Sequence, residues 1–329
     1  MQEVQSTPKE TQEYGMSDIV EMLKANIQPA VDLRTYIPER ADIGKNRDRN
    51  TSEILVSVAR KTGDELYYAL DRWLDFLLNA FDADRFKEQT FESNLEVARQ
   101  EQPEFYDLMH RWVDTVYDNK EQGKCTDFFG DIYEENFKSS HKATQLGQFY
   151  TPMSISKMLG ELVFDGKTDK STALDCACGS GRLLLGYAEK EHFQRTTFYC
   201  AGDVDPQSVK MCALNFMMHG LQGVVLRQDA LILNEPMDIL LINQVDYPVE
   251  TGLRSISRLT TEEALRIGLL SQRGEQFSLC DTYFTHHRNL LNLIKGIEIE
   301  KPTCTPPEKK QETAQPPKIR KPAQLSLFD

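Results

Sequence analysis

The stretch from Gln145 to Leu184, QLGQFYTPMSISKMLGELVFDGKTDKSTALDCACGSGRLL, constrains this chain more than any other. Ser171 to Cys176 (STALDC) is short, β-prone and apolar, the pattern of a buried parallel strand. Cys178 to Gly181 then makes a tight turn, and Arg182 to Glu191 has helical spacing. A strand, a glycine turn and a helix N-terminus bring backbone N–H groups together, a cradle for a small anionic or nucleoside-like ligand. The spacing is neither that of a dinucleotide-binding fingerprint nor that of a phosphate loop, since no Gly-Lys-Ser/Thr follows.

Beyond the loop the same alternation continues. Residues 196–206 (TTFYCAGDVDP) read as a second strand ending in acids, and residues 209–220 as a helix closed by Gly220. Residues 223–228 give a third strand, followed by Asp229, Ala230 and Leu231. Residues 238–242 (DILLI) give a fourth, with Asn243 just past it. This order predicts a parallel sheet with right-handed crossovers, whose ligands sit at the carboxyl ends of the strands. Asp175, Asp203 and Asp229 all fall at such ends.

DCACGSG (175–181) closely resembles the signature of DNA amino-methyltransferases, and Phe149-Tyr150-Thr151-Pro152 resembles their second cofactor motif. Asp127-x-x-Gly130-x-x-Tyr133-Glu134, just upstream, resembles the M (modification) subunit of type I restriction–modification systems. The resemblance covers about 127–250. It implies an α/β fold: a Rossmann-like S-adenosylmethionine-dependent methyltransferase sheet, truncated after residue 250 or completed differently, with an N-terminal helical domain. It implies S-adenosylmethionine as cofactor, held by Phe149, Thr151, Asp175, Cys178, Gly179, Gly181, Asp203, Asp229 and Ala230. In that assignment Asp175 takes the ammonium group, Thr151 the carboxylate, Asp203 the ribose hydroxyls and Asp229 the adenine amine. No metal is implied.

The family transfers methyl to an exocyclic amine through Asn-Pro-Pro-Tyr/Phe after the fourth strand. Acceptors there draw on the amine hydrogens, and the aromatic stacks on the flipped base. Here the matching residues are Asn243-Gln244-Val245-Asp246: the Asn stays, while both prolines and the aromatic are gone. Shifting the register to Asp246-Tyr247-Pro248-Val249 recovers one proline and brings Tyr247 near as a substitute stacker. Asn243, Asp246 and Tyr247 are therefore the candidate catalytic residues.

Around this centre the chain divides into segments. Residues 1–50 form a loose segment with a short helix from Ser17, and 51–140 a helical domain with Phe105, Leu108, Trp112, Val113 and Val116 on one apolar face. Residues 141–250 form the cofactor-binding domain. Residues 251–299 read as helical, with a Thr260/Glu263 capping box and no further strands. Residues 300–329 are a Pro-rich tether whose Lys301, Lys309, Lys310, Lys318, Arg320 and Lys321 outnumber Glu308 and Glu312. The tether ends in QLSLFD, which resembles the peptide by which bacterial proteins dock on the polymerase sliding clamp, with Gln324, Leu325, Leu327 and Phe328 making the contact.

A net charge of −13 does not advertise DNA binding, so nucleic-acid contacts need a local basic patch or a partner. Seven cysteines, mostly in apolar segments, suit a reducing cytoplasm, and no signal peptide or membrane-length apolar run is visible. The expectation is a cytoplasmic DNA adenine-N6 methyltransferase-like protein, with DNA, a separate specificity subunit and the sliding clamp as partners and no membrane association. The competing expectation is a catalytically degenerate relative, tethered to the clamp as a DNA-associated or regulatory module.

Overall fold

The computed structural model describes residues 50–82, 103–137, 151–164, 172–191, 197–243 and 255–280. The expected helix from Ser17, the helical reading of 281–296 and the tether lie outside the described residues.

The chain first builds a layer of helices. In α1 (Thr51–Thr62) the Asn50 side chain accepts from the Glu53 amide while the Glu53 carboxylate accepts from the Asn50 amide, two otherwise orphaned donors satisfied at once. Next come α2 (Leu66–Ala80), α3 (Pro103–Glu121), opened by a proline whose missing N–H costs nothing there, and α4 (Phe128–Phe137). The expected apolar face of α3 is buried at Phe105, Leu108, Trp112, Val113 and Val116. Phe129 sits between Trp73 and Trp112, with ring centroids 5.4 and 5.0 Å away. Burying side chains of this size stabilises by about 1.5–3 kcal/mol each.

These helices share one continuous core with the sheet, running from Trp73 and Phe129 through Phe216 to Tyr199 and Leu185. The cause is α7 (Pro206–His219), whose apolar residues point in every direction and which is buried nearly throughout. It packs on α2, α3 and α4 on one side and on the sheet on the other.

The sheet has the order β1 (Thr172–Asp175), β2 (Phe198–Asp203), β3 (Gln222–Arg227), β4 (Asp238–Ile242), β5 (Ile256–Arg258). Only β1, β2 and β3 are parallel; β4 runs antiparallel to β3, and β5 antiparallel to β4. The expected all-parallel Rossmann-like sheet is therefore not what forms. A parallel return needs a crossover of a dozen or more residues, usually helical. Residues 228–237 contain no helix, so the strand turns straight back. β1 is also not the buried strand its composition implied: among the described residues it lies at the edge of the sheet, with Leu174 66% exposed.

Between Pro152 and β1 runs α5 (Met153–Val163), the amphipathic helix of the opening stretch. It buries its small residues, Ser156 and Gly160, against α6 (Arg182–Lys190) and exposes Ile155, Met158, Leu162 and Val163. The two backbones meet so closely that a Cβ on Gly160 would lie 2.7 Å from the Gly186 carbonyl oxygen.

The segment after 251 departs from its helical reading. The Thr260/Glu263 capping box is present and starts α8 (Thr261–Arg266), but three short strands accompany it: β5, β6 (Leu270–Arg273) and β7 (Gln276–Leu279). β6 and β7 form a hairpin turning at Gly274 (φ 62°). With α8, the hairpin covers the second face of the sheet over Cys200, Val224, Leu226, Ile239 and Leu241. The β5 edge is closed by the end of α2, where the Ile256 amide donates to the Phe81 carbonyl at 2.9 Å.

Candidate functional site

The ends of β1, β2 and β3 come together as the parallel register requires, with Asp175 opposite Ala201 and Asp203 opposite Arg227. The glycine turn lies across these ends. The Cys178 amide donates to the Gly202 carbonyl (2.9 Å), the Gly179 amide to Asp203 Oδ2 (2.9 Å), and the Gly181 amide to the Cys178 carbonyl (2.8 Å). Gly179 and Gly181 hold left-handed φ values of 53° and 88°, which glycine adopts without a Cβ penalty.

Asp203 accepts from the backbone at Gly179 through Oδ2 and at Asp205 through Oδ1, with a further backbone hydrogen bond from Val204. A carboxylate offers about four acceptor positions, so about one stays available on a side chain already held in place. Asp175 Oδ1 accepts from the Ala177 amide at 3.1 Å, while its Oδ2 is buried without a hydrogen-bond partner among the described residues. Burial raises the pKa of both acids above the ordinary carboxylate value, and the Asp203 charge pushes Asp175 further up. A cation at this point would satisfy the orphaned oxygen and restore full ionisation. The Cys178 thiol is held far up by its hydrogen bond with Cys212 and by burial, so it is a packing group and not a thiolate.

Asp229 follows β3 and accepts from the Leu231 amide at 2.8 Å; Ala230 beside it is exposed. Val204, Leu231 and Ile232, which follow these acids, are exposed large apolar side chains, Leu231 at 93%. Acids beside unburied apolar groups suit a ligand with hydroxyls, an amine and an apolar ring.

The underside of the turn rests on Asp127 and Glu134 of the upstream pattern, whose contacts with Ser180 and Arg182 the sequence alone does not show. Asp127, buried just ahead of α4, accepts from the Gly130 amide (2.9 Å) and Asn215 Nδ2 (2.7 Å) at Oδ1. At Oδ2 it accepts from Ser180 Oγ (2.5 Å) and Arg182 Nε (2.7 Å). A Cβ on Gly130 would fall 1.9 Å from Asp127 Oδ2. The Asp127-x-x-Gly130 spacing was the available signal: the glycine is there to let a buried carboxylate reach the turn. Thr151 joins the same cluster through its carbonyl, which accepts from Arg182 Nη1 at 3.2 Å.

Asn243 is not part of this assembly. Because β4 is antiparallel, Ile242 pairs with Gly223 at the start of β3, which puts Asn243 at the opposite end of the sheet from Asp203. It is fully buried, with φ 48°. Its Nδ2 donates to the Met217 and Leu221 carbonyls at 3.1 and 3.0 Å, and its Oδ1 accepts from the Ser255 amide at 3.2 Å. All of these partners are backbone groups that close α7 and lead into β5. Phe149, Asp246 and Tyr247 lie outside the described residues, as do Gln324, Leu325, Leu327 and Phe328. No helix among the described residues is long and apolar enough to cross a membrane.

Residues 124–247 match the N-6 DNA Methylase family. The chain is 27% identical over 112 residues to the type I restriction enzyme MpnII methylase subunit of Mycoplasma pneumoniae, covering 33% of this chain and 21% of that protein. It is 27% identical over 174 residues to the EcoEI methylase subunit of Escherichia coli, covering 44% and 35%. It is 31% identical over 97 residues to the MjaVIII methylase subunit of Methanocaldococcus jannaschii, covering 29% and 16%. The chain thus spans about a third or less of the length of these curated relatives. A solved type I methyltransferase subunit from Streptococcus thermophilus matches with 15% identity and a TM-score of 0.23, covering 64% of this chain and 57% of that one.

Proposed function

We propose that this chain is a DNA adenine-N6 methyltransferase of restriction–modification type that binds S-adenosylmethionine at the ends of β1, β2 and β3. One observation carries the reading: the Gly179 amide and Asp203 are bonded to each other, so turn and acid form one rigid cradle with acceptor capacity to spare. The residues fit the cofactor. Asp175 Oδ2, orphaned and buried, would take the ammonium group. Asp203 would take the ribose hydroxyls and Asp229 the adenine amine, with Ala230 and Leu231 beside the ring. Gly179 and Gly181 let the backbone approach the methionine portion, and Thr151 and Phe149 are the further residues proposed to contact the cofactor. Bound there, the cofactor supplies an activated methyl group. DNA, a separate specificity subunit and the sliding clamp, through Gln324, Leu325, Leu327 and Phe328, complete the proposed partners.

A second reading, cofactor binding without transfer, is favoured by the position of Asn243, whose amide serves the backbone and not the cradle. The comparisons favour the first.

Calorimetric titration of S-adenosylmethionine into the whole chain tests the shared part. Binding that Asp203→Ala weakens by about a hundredfold is expected, since charge-assisted hydrogen bonds contribute about 1.5–3 kcal/mol each. A folded wild-type chain that does not bind the cofactor overturns the proposal. Transfer of labelled methyl to DNA, with and without a specificity subunit, then separates the two readings.

A further inference from the structure

Arg182 occupies the first position of α6, directly after the glycine turn, yet its side chain is buried and directed at α4. It makes four charge-assisted bonds: Nε to Asp127 Oδ2 (2.7 Å), Nη1 to Glu134 Oε2 (2.9 Å) and to the Thr151 carbonyl (3.2 Å), and Nη2 to Asp131 Oδ1 (2.9 Å). One guanidinium therefore gathers three carboxylates from α4 and the residues before it. Asp127 in turn grips the Ser180 hydroxyl, and Asn215 Nδ2 grips the Ser180 carbonyl at 2.9 Å. The buried cluster thus ties Thr151 on one segment and Ser180 on another to the same fork. Only a planar, five-donor group can reach all these acceptors at once, so lysine is not a substitute.

We propose that Arg182 is a positioning residue for the cofactor cradle: clamped by Asp127, Asp131 and Glu134, it holds the Thr151 carbonyl and the Ser180 turn in one fixed relation. The inference rests on the S-adenosylmethionine reading above and says how the site is kept arranged before the ligand arrives. Its energetic content is preorganisation. A ligand meeting a loose Thr151 and a loose turn pays for ordering both, whereas here the fold has already ordered them.

Two variants and a control test it on the whole chain. Arg182→Lys keeps the charge and loses the fork. Glu134→Gln, at a partly exposed residue, removes one charged acceptor and leaves Asp127 in place, so it stays informative even where Arg182→Lys fails to fold. Asp75→Asn weakens the Lys210 ion pair between α2 and α7, which includes none of the Arg182 cluster, and serves as a control for lost stability alone.

The expected result is a dissociation constant for S-adenosylmethionine raised about tenfold or more in Arg182→Lys and about threefold or more in Glu134→Gln. In Asp75→Asn it stays within about twofold of wild type, because a stability loss alone does not change the affinity of the folded fraction. Amide exchange should accelerate in peptides covering 151–155 and 178–182 in the first two variants and not in the third. Wild-type affinity in both Arg182→Lys and Glu134→Gln overturns the inference. Where the wild-type chain itself does not bind the cofactor, the cofactor reading fails and exchange decides: faster exchange in Glu134→Gln upholds the clamp as the device that positions the turn, and unchanged exchange rejects it.

Discussion

Asn243→Ala separates a structural from a catalytic role for this residue more sharply than any other single change. The variant deprives the buried Leu221 carbonyl and the buried Ser255 amide of the Asn243 side chain; Met217 keeps the Gly220 amide as a donor. Leaving a buried polar group unpaired costs about 1–3 kcal/mol, so two such groups cost about 2–6 kcal/mol. The backbone at 243 is also left-handed, which asparagine tolerates better than alanine by about 1 kcal/mol. The sum, about 3–7 kcal/mol, is a large part of the roughly 5–15 kcal/mol that holds a domain together. At about 2–4 °C per kcal/mol for a domain of this size, melting should fall by about 6 °C at least. Urea or thermal melts followed by circular dichroism measure this directly. A variant that melts within about 2 °C of wild type refutes the reasoning and returns Asn243 to the site of chemistry. With the expected loss, a methylation defect in the same variant says nothing about catalysis.

Two further outcomes are expected. Burial, with the Asp127 charge, pushes the Asp131 carboxyl from its ordinary 3.8 up to about 6, so the folded chain holds that proton more tightly than the unfolded one. Its contribution to stability is complete below 3.8 and is lost as the pH rises through about 6. Melting at pH 5 and pH 7.5 should therefore differ less in Asp131→Asn than in wild type, by a modest margin because the side chain is 66% exposed, and an unchanged difference counts against it. Deleting residues 324–329 should abolish clamp binding in surface plasmon resonance and leave melting unchanged; a truncated chain that still binds the clamp rejects the role given to QLSLFD.

What could be read from residues alone followed local physics. The glycine turn, the acids after β1, β2 and β3, the apolar face of α3 and the cap at Thr260 are short-range patterns, and each sits where spacing placed it. The direction of β4 was not legible. DILLI has the same composition whether it pairs parallel or antiparallel, and what decides is the absence of a crossover helix over 228–237. β5, β6 and β7 are too short to show a period of two. The Asp127–Arg182 pair was hidden for another reason: charged residues read as surface until a partner 55 positions away is brought to 2.7 Å. The continuity of the core was not legible either, because α7, buried nearly throughout, joins the helical layer to the sheet through contacts distant in sequence.

Under the proposed transferase reading, the reversal of β4 also limits where methyl transfer could be assisted. A five-residue strand spans roughly 17 Å, so an amide at the far end of β4 stands about that distance from the cradle. Reacting groups must approach to about 3–3.5 Å. Asn243 could close that gap only if β4 left its ladders with β3 and β5, which would strip Ile239, Leu240, Leu241 and Ile242 from the core. At the cradle end itself Asn234 carries a side-chain amide, but its Oδ1 already accepts from the Asp229 amide and its Nδ2 donates to the Glu235 carbonyl. Neither Asn243 nor Asn234 is thus placed as an amide dedicated to a target amine at the proposed cradle; under the transfer reading, Asp246 and Tyr247 or a second polypeptide would take that part. The assay with a specificity subunit is therefore the informative one: the proposed cofactor cradle lies at the ends of β1, β2 and β3, whereas β4 carries Asn243 to the other end of the sheet.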